Sequence, residues 1–311
     1  MTEQERSKPV SFPAAFFGAC RGTAIFPALR RNRWWRVLAH LLLLSILCAG
    51  FITWGELRQF APLFQEFERN FEAEFGGVAL SPEGITPLKD PERGRIFALP
   101  FGGAVDYCPA AFRGAGISPD EARTLGFLFY WRPKLLMTGI RSEAEWVLLI
   151  QRPGAEAGVF RQISADRLEP FLAEQSGEAG GRWKLLVPSE ETLGAAEVVA
   201  FLRDRTGASL MLLNICMCFG LSLLYTTVFV AVFRLTGGVR RLRSMTGGEF
   251  WKTGIYAGFP VMPVAACFPA FQLPLFSYST VFMIGLIVYW LTAAGRQEHD
   301  KNREAGENEG F

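Results

Sequence analysis

Charged side chains are absent from three long stretches of this 311-residue sequence. Residues 37–55, 206–233 and 253–294 contain no Asp, Glu, Lys or Arg over 19, 28 and 42 positions respectively. A membrane-spanning helix needs about 20 predominantly apolar residues, and such runs are rare in soluble proteins. Half of all residues are hydrophobic, which also excludes an intrinsically disordered chain. The sequence therefore predicts a polytopic membrane protein.

These charge-free runs predict four membrane spans. The first is residues 34–55, interpreted as an uncleaved signal anchor, and the second is residues 206–234. The third run, residues 253–294, would be about 63 Å long as a single helix, which is twice the thickness of the hydrocarbon core. We expect it to fold back at residues 272–274, a Gln-Leu-Pro sequence, and so to form two spans. Three prolines in the first of these predict a kinked helix.

The distribution of charge sets the expected orientation. Residues 1–36 carry seven Lys and Arg against two acids, residues 234–252 carry five against one, and residues 55–205 carry 17 against 22. Positive charge close to span ends marks the cytoplasmic side. The chain outside the spans then divides into a cytoplasmic or interfacial N-terminal segment (1–33), an extracytoplasmic domain (56–205), a basic cytoplasmic loop (235–252) and a disordered cytoplasmic tail (295–311).

Two of the cytoplasmic segments have alternative interpretations. Residues 9–29 hold four Phe among Pro, Gly and Arg, which is too broken a pattern for a span. This pattern fits a helix lying in the membrane interface and a flexible lead-in equally well. The basic loop is rich in Gly; its charge sets the orientation and could also contact anionic lipid headgroups.

Histidine and cysteine are scarce, which excludes several kinds of site. The two histidines are His40 and His299, so the outside domain lacks the histidine that a Ser-His-Asp triad or a His-ligated metal needs. Of six cysteines, Cys108 alone lies in that domain, so no disulfide framework is expected. Cys216 and Cys218 lie within the second span, where we interpret them as small hydrophobic residues.

No catalytic, cofactor-binding or metal-binding residue is predicted, and no cofactor is expected. The sequence contains no P-loop, dinucleotide-binding glycine motif, H-E-x-x-H, G-x-S-x-G or S-x-x-K. A carboxylate pair for general acid–base catalysis is conceivable, but 22 acids outside make some pair inevitable. The carboxylates considered are Asp106, Asp120, Glu121, Glu143 and Glu145. Asp106 lies in a locally apolar setting, and we interpret it as a structural carboxylate.

Polar residues are few within the spans. The absence of charge there argues against a proton-coupled pump or transporter. His40 and Asn214 are expected to contact neighbouring helices, and the small-xxx-small spacing of Gly254 and Gly258 predicts close helix packing.

The outside domain is predicted to be α+β, and it begins with a helix that continues from the first span. Its apolar residues recur every three or four positions: Leu57, Phe60, Phe64, Phe67, Phe71 and Phe75. Gly76 and Gly77 are expected to end it. This stripe favours packing on the helix's own domain, and a dimerisation stalk is the alternative.

Short runs of β-branched, aromatic and other apolar residues, separated by Gly and Pro, follow this helix. They predict strands at residues 78–80, 95–100, 125–131, 135–138, 146–151 and 183–187. Serines close to acidic residues predict helix starts at Ser118, Ser164 and Ser189. The last of these helices, residues 190–205, is expected to continue into the second span.

Three segments carry a resemblance to a known family: residues 77–87 (GVALSPEGITP), 127–140 (FLFYWRPKLLMTGI) and 248–263 (GEFWKTGIYAGFPVMP). They resemble a bacterial family of polytopic membrane proteins of unknown function, some of whose members are labelled maltodextrin utilization permease-like proteins. The first two look like that family's external strand pairs, and the third looks like the entry to its third span. The resemblance implies a prokaryotic inner-membrane protein linked to envelope or solute handling, and it implies no catalytic residues.

The sequence favours a non-enzymatic inner-membrane protein whose outside domain binds a ligand or a partner protein. Such a protein would act as a sensor or an accessory subunit of a membrane or envelope complex. A small oligomeric transporter or channel is one alternative, and a membrane enzyme acting on lipid or cell-wall material is another. The expected partners are the lipid bilayer and either a membrane protein or further copies of the chain, with no nucleic acid.

Overall fold

The computed structural model describes residues 9–82, 84–99, 102–109, 119–143, 145–152, 158–174, 191–235, 246–274 and 276–308. The helices are α1 (Phe12–Arg21), α2 (Phe26–Leu29), α3 (Trp34–Phe75), α4 (Pro119–Thr124), α5 (Leu168–Glu174), α6 (Ala195–Leu235), α7 (Gly247–Ala257), α8 (Val261–Ala270) and α9 (Tyr278–Asn308). The strands are β1 (Gly77–Leu80), β2 (Ile85–Pro87), β3 (Arg95–Leu99), β4 (Gly103–Tyr107), β5 (Phe127–Arg132), β6 (Leu135–Ser142), β7 (Glu145–Gln151), β8 (Val159–Ser164) and β9 (Glu191–Gly194). The chain divides into two units, residues 1–59 with 205–311 (the helical unit) and residues 60–204 (the α+β unit).

Two helices are long and apolar enough to cross a membrane. They are α3 over its whole length and α6 from Ala195 to Phe233. A third candidate is the pair α7 and α8, which is bent by 42°, and the apolar part of α9, Tyr278–Ala293, is shorter. The described part of the chain therefore has two helices with the length and composition of a span, or three if the bent pair counts as one.

Proline and backbone geometry set the helix breaks in this region. Pro260 stands between α7 and α8, where its fixed φ and missing N–H prevent a regular continuation. After α8, Gln272 has a φ of +50° and Pro274 follows it. The kink and the break predicted from the prolines and from residues 272–274 are both confirmed.

The two ends of the chain are more helical than the sequence predicts. Residues 9–33 form α1, a 3-10 turn and α2. Ala15 and Ala19 of α1 and Phe26 and Leu29 of α2 are buried in the core of the helical unit. Packed helices of this kind differ from the flexible lead-in that was one of the two interpretations. The tail, residues 295–311, was expected to be disordered, but α9 continues as far as Asn308. Ala, Gln, Glu, Lys and Arg favour helix, and no proline follows Pro274.

The α+β unit contains two sheets. The large one has the order β3-β4-β5-β6-β7-β8, and it is antiparallel except for the pair β4–β5. A parallel pair needs a crossover connection, and α4 lies in that connection. The small sheet has the order β2-β1-β9. The antiparallel pairs β1–β2 and β5–β6 fall on two of the segments that carry the family resemblance.

The Phe stripe of α3 covers part of one face of the large sheet. The Phe67 ring lies 5.9 Å from Phe97, and the Phe75 ring lies 5.5 Å from Trp131. The helix ends at Phe75, where Gly76 has a φ of +70° and donates its N–H to the carbonyl of Glu72. The predicted packing of the stripe on its own domain is confirmed for Phe67 to Phe75.

A second core covers the opposite face of the large sheet. It joins side chains of β5, β6 and β7 to Leu168 and Leu172 of α5. Trp146 of β7 is fully buried within it. The large sheet is thus packed on both faces, although not along its whole width.

The predicted strands match β1, β3, β5, β6 and β7, whereas residues 183–187 lie outside the described residues. The strands β2, β4, β8 and β9 were not predicted. The helix start at Ser164 is confirmed, and α4 begins directly after Ser118, which is itself not described. The start proposed at Ser189 is wrong, because residues 191–194 pair with β1 as a strand and α6 begins at Ala195.

Candidate functional site

The carboxylates considered from the sequence are distributed over β4, α4, the turn between β6 and β7, and β7. Asp106 of β4 lies level with Ile150 in the sheet register, whereas Glu145 is five residues away along β7, about 17 Å at the rise of a strand. Asp120 lies on α4, 3.6 Å from Arg123. Glu121 is on the same helix and Glu143 occupies the turn between β6 and β7. No group of three or more His, Cys, Asp or Glu in the described residues is arranged to hold a metal.

Asp106 belongs to a row of buried polar side chains on the parallel strands β4 and β5 and the residue that follows β4. The row is Asp106, Cys108, Tyr130 and Arg132. Asp106 is directly opposite Tyr130 in the register, and alternate residues of a strand share a face. The Cys108 thiol donates to Asp106 Oδ1 at 3.4 Å, and Arg132 Nε donates to Tyr130 Oη at 2.6 Å. The row therefore contains one hydrogen-bonded pair along β4 and one along β5.

The environment of this row favours structure over chemistry. Asp106 is 1% exposed and Arg132 is 5% exposed, and buried charges require hydrogen bonds and opposite charge nearby. Burial also raises the pKa of Tyr130 above its ordinary value, so the phenol is neutral. Cys108 is also buried, so its thiol is shielded from solvent. The role of Asp106 as a structural carboxylate remains a prediction that its burial supports.

An exposed apolar surface lies on the face of the large sheet that α3 covers only in part. Ile140 and Val147 are directly opposite each other, as are Leu149 and Phe160, and all four share one face. Ile140 is 61% exposed, Val147 40% and Phe160 72%. We call these four residues the sheet patch. Contiguous exposed apolar residues, unlike isolated ones, mark interaction sites.

The helical unit contains a separate polar cluster. Asn32 Nδ2 donates to Tyr256 Oη at 2.8 Å, and His40 Nδ1 lies 3.1 Å from the same oxygen. The backbone N–H of Val10 donates to Asn32 Oδ1 at 3.2 Å. Asn32, His40 and Tyr256 are all buried, and we call them the polar node. The node ties the N-terminal segment to α3 and α7.

The sequence anticipated some of these contacts and missed others. His40 makes the expected contact with a neighbouring helix, and Asn214 donates to Thr53 Oγ1 at 3.1 Å and to Glu56 Oε2 at 2.9 Å. The sheet patch was missed because β8 was not predicted. Asn32 and Tyr256 were missed because 224 positions separate them, and no local pattern signals such a contact.

Comparisons of the chain with protein-family models, with curated proteins and with solved structures give no match, so its candidate sites are defined by their own geometry.

Proposed function

We propose that this protein is a four-span membrane protein whose α+β domain, residues 56–205, lies outside the cytoplasm and binds a partner protein. It acts without catalysis, as a sensor or an accessory subunit of a membrane complex. The family resemblance would place it in a bacterial inner membrane, and this assignment remains a prediction.

The contacts of α3 support the bent pair α7–α8 as a full span. At one end the Trp34 ring lies 5.0 Å from Trp251. At the other end, a Cβ placed on Gly55 would lie 2.2 Å from the carbonyl oxygen of Ala270. The bent pair therefore follows α3 in the same direction for about 33 Å of helix. A re-entrant loop would instead return to the end where it started.

The contacts of α9 support a fourth span that returns beside the third. A Cβ placed on Gly254 would lie 3.5 Å from Trp290, and one on Gly258 would lie 3.2 Å from Phe282. The later of the two glycines thus lies beside the earlier of the two α9 residues, so α7 and α9 run antiparallel. The two glycines allow the helices to approach closely, as small-xxx-small spacing does between membrane helices.

The charge pattern supports the orientation. The N-terminal 36 residues and the loop before α7 are strongly basic, whereas residues 55–205 have five more acids than bases. Basic segments close to span ends stay in the cytoplasm. With four spans, both termini would lie there.

The sheet patch is the observation that carries the proposed partner binding. Ile140, Val147 and Phe160 are exposed and Leu149 is partly buried, all on strands whose backbone holds them in fixed positions. Rigid apolar side chains of this kind form the centre of protein interfaces. The nearby carboxylate of Glu145 accepts a hydrogen bond from Gln162 Nε2, and we assign the patch to docking.

A site-specific photo-crosslinker tests the docking in native membranes. We expect a discrete adduct when the crosslinker replaces Phe160, and none when it replaces Ile96, which is also exposed, on β3. The double variant Ile140→Ser/Phe160→Ser should reduce recovery of the partner at least about tenfold, the effect of losing about 1.4 kcal/mol. The double variant Leu88→Ser/Ile96→Ser removes two exposed apolar groups elsewhere in the α+β unit and should not reduce the recovery.

Two results would contradict the proposal. One is equal recovery of the partner with both double variants. The other is purification of a partnerless oligomer that takes up solutes in liposomes, which would identify a transporter.

A further inference from the structure

We propose that an arginine patch at the N-terminal end of α3 binds the phosphate headgroups of anionic phospholipids. The patch consists of Arg21, Arg30, Arg31, Arg33 and Arg36. It relies on the proposed membrane topology only in that this end of α3 must face a lipid headgroup layer. It is independent of partner binding by the sheet patch.

The backbone that presents these arginines is held in place. Lys252 of α7 donates to the carbonyl oxygens of Asn32 at 2.7 Å and Arg30 at 3.3 Å. The Asn32 side chain is anchored in the polar node. The N–H groups of residues 30–32 bond back to α2 in a closed turn. The turn is therefore preorganised, and a ligand would not have to order it on binding.

The segment that carries the patch has a net positive charge. No acid occurs between residues 9 and 55, and Arg21, Arg31 and Arg33 are exposed. Burial lowers the pKa of Arg30, Glu249 opposes that shift and the neighbouring Arg31 adds to it. The Glu249 carboxylate also accepts the backbone N–H of Thr246 at 2.8 Å in the capping box of α7. An anion beside these crowded guanidinium groups would relieve their mutual repulsion.

Exposed aromatic side chains occur on the same segments as the arginines and point to a lipid as the source of that anion. Trp34 is 45% exposed, Trp35 59% and Phe17 60%. Lys252 Nζ lies 5.0 Å above the Trp34 ring, and the Arg36 guanidinium lies 5.1 Å above the Trp35 ring. Trp and basic side chains at the start of a charge-free helix are typical of the headgroup layer. A free phosphate ion has no apolar part that could contact these rings, so we assign the site to a phospholipid.

Native mass spectrometry of the full chain tests this assignment. The protein is reconstituted in nanodiscs of phosphatidylcholine and phosphatidylglycerol, and the lipids retained after transfer to detergent are counted. The test variant is Arg31→Gln/Arg33→Gln. The matched control is Arg93→Gln/Arg161→Gln, which removes two exposed arginines from the α+β unit. A charge-preserving variant, Arg31→Lys/Arg33→Lys, separates charge from a structural role of arginine.

We expect the test variant to retain less phosphatidylglycerol relative to phosphatidylcholine by about fivefold per charge, or about 30-fold in all. The lysine variant and the control should retain the wild-type ratio within about threefold. Equal retention by the wild type and the test variant would overturn the proposal, and so would an equal loss in the control. Release of the lipid by millimolar inorganic phosphate would assign the site to free phosphate instead.

Salt dependence of the wild type provides a test that needs no variant. Exposed charges are screened within about 10 Å at 0.1 M ionic strength and within about 3 Å at 1 M. Phosphatidylglycerol retention by the wild type should therefore fall steadily as salt rises, and a constant retention would exclude the proposal. The variant Ile140→Ser/Phe160→Ser should keep its lipid, so failure of the sheet patch and failure of the arginine patch give different results.

Discussion

At the scale of single residues, the Tyr107 hydroxyl connects β4 to the chain before β3. Tyr107 is fully buried and donates to the carbonyl oxygen of Pro91 at 2.6 Å. Burial, together with the nearby Glu92, raises the pKa of this phenol to about 12, and Arg95 opposes part of this shift. The fold therefore favours the neutral form. Its contribution to stability is fully present below pH 10, the ordinary pKa of tyrosine, and is lost as the pH rises through about 12.

Tyr107→Phe is expected to remove this alkaline dependence. Below pH 10 the variant should be less stable by about 1 kcal/mol, because a buried hydrogen bond is lost. The difference should close above pH 12, where the wild-type phenol ionises. Tyrosinate absorbance of the wild type minus that of the variant should show a single step near pH 12. A step near pH 10 would show that Tyr107 is not shielded in the fold.

A close helix contact in the helical unit also depends on one residue, Gly55 of α3. A Cβ at this position would lie 2.2 Å from the oxygen and 2.6 Å from the Cα of Ala270. Gly55→Ala should therefore separate α3 from the end of α8 and cost about 1–3 kcal/mol, the usual penalty of overpacking. Thermal unfolding in detergent measures it.

Gly220→Ala on α6 is the matched control for Gly55. No atom lies within 4 Å of a Cβ placed there, and alanine is the better helix former by about 1 kcal/mol. The control should be as stable as the wild type or slightly more so. An equal loss of stability in both variants would show that the contact between Gly55 and Ala270 does not hold the helices together.

At the scale of elements, the polar node fixes the N-terminal helices to α7. Tyr256→Phe would deprive Asn32 Nδ2 of its acceptor inside the protein, at a cost of about 1–3 kcal/mol. We expect hydrogen exchange of the backbone amides of α1 and α2 to accelerate, while the amides of α6 keep their protection. Tyr225→Phe, which removes a contact with Ser279 instead, is the control. Unchanged exchange in α1 and α2 would show that apolar packing alone holds these helices.

Local signals were sufficient for the elements whose structure is determined locally. The stripe of Phe residues at helical spacing predicted α3 in the α+β unit, and the two glycines predicted where it ends. Prolines predicted the kink that follows α7 and the break that follows α8. In each case the physical cause lies within a few residues of the feature.

Elements that depend on distant partners were missed. β9 (Glu191–Gly194) follows a serine and an acid, which is a helix-start pattern, yet its backbone pairs with β1 more than 110 positions earlier. β4 begins at Gly103 in a Gly-rich segment and is a strand because it pairs in parallel with β5. β8 lacks the alternation of a half-buried strand because nearly all its side chains are exposed. The sheet patch and the polar node were missed because their residues come together only in the folded chain.

At the scale of the whole molecule, one surface feature stands in each unit, and each depends on a preorganised backbone. The sheet patch lies on hydrogen-bonded strands, and the arginine patch lies on a turn that Lys252 and the polar node hold. The charge pattern of the sequence predicted the basic end of the helical unit, because composition alone decides it. The position of the arginines relative to Trp34 and Trp35 needed the structure.

The number of spans and their orientation give the last prediction, which cysteine accessibility tests. Cys20 is exposed on α1 and should react with an impermeant maleimide only after the cytoplasmic side is opened. Gln162→Cys, at an exposed position on β8, should react in intact cells, because the α+β domain is expected outside. If the chain has four spans, the cysteine of the variant His299→Cys should, like Cys20, react only after the cytoplasmic side is opened. If it reacts from the outside instead, the bent pair α7–α8 and α9 do not both cross the membrane. If Cys20 itself reacts in intact cells, the orientation derived from the basic segments is reversed.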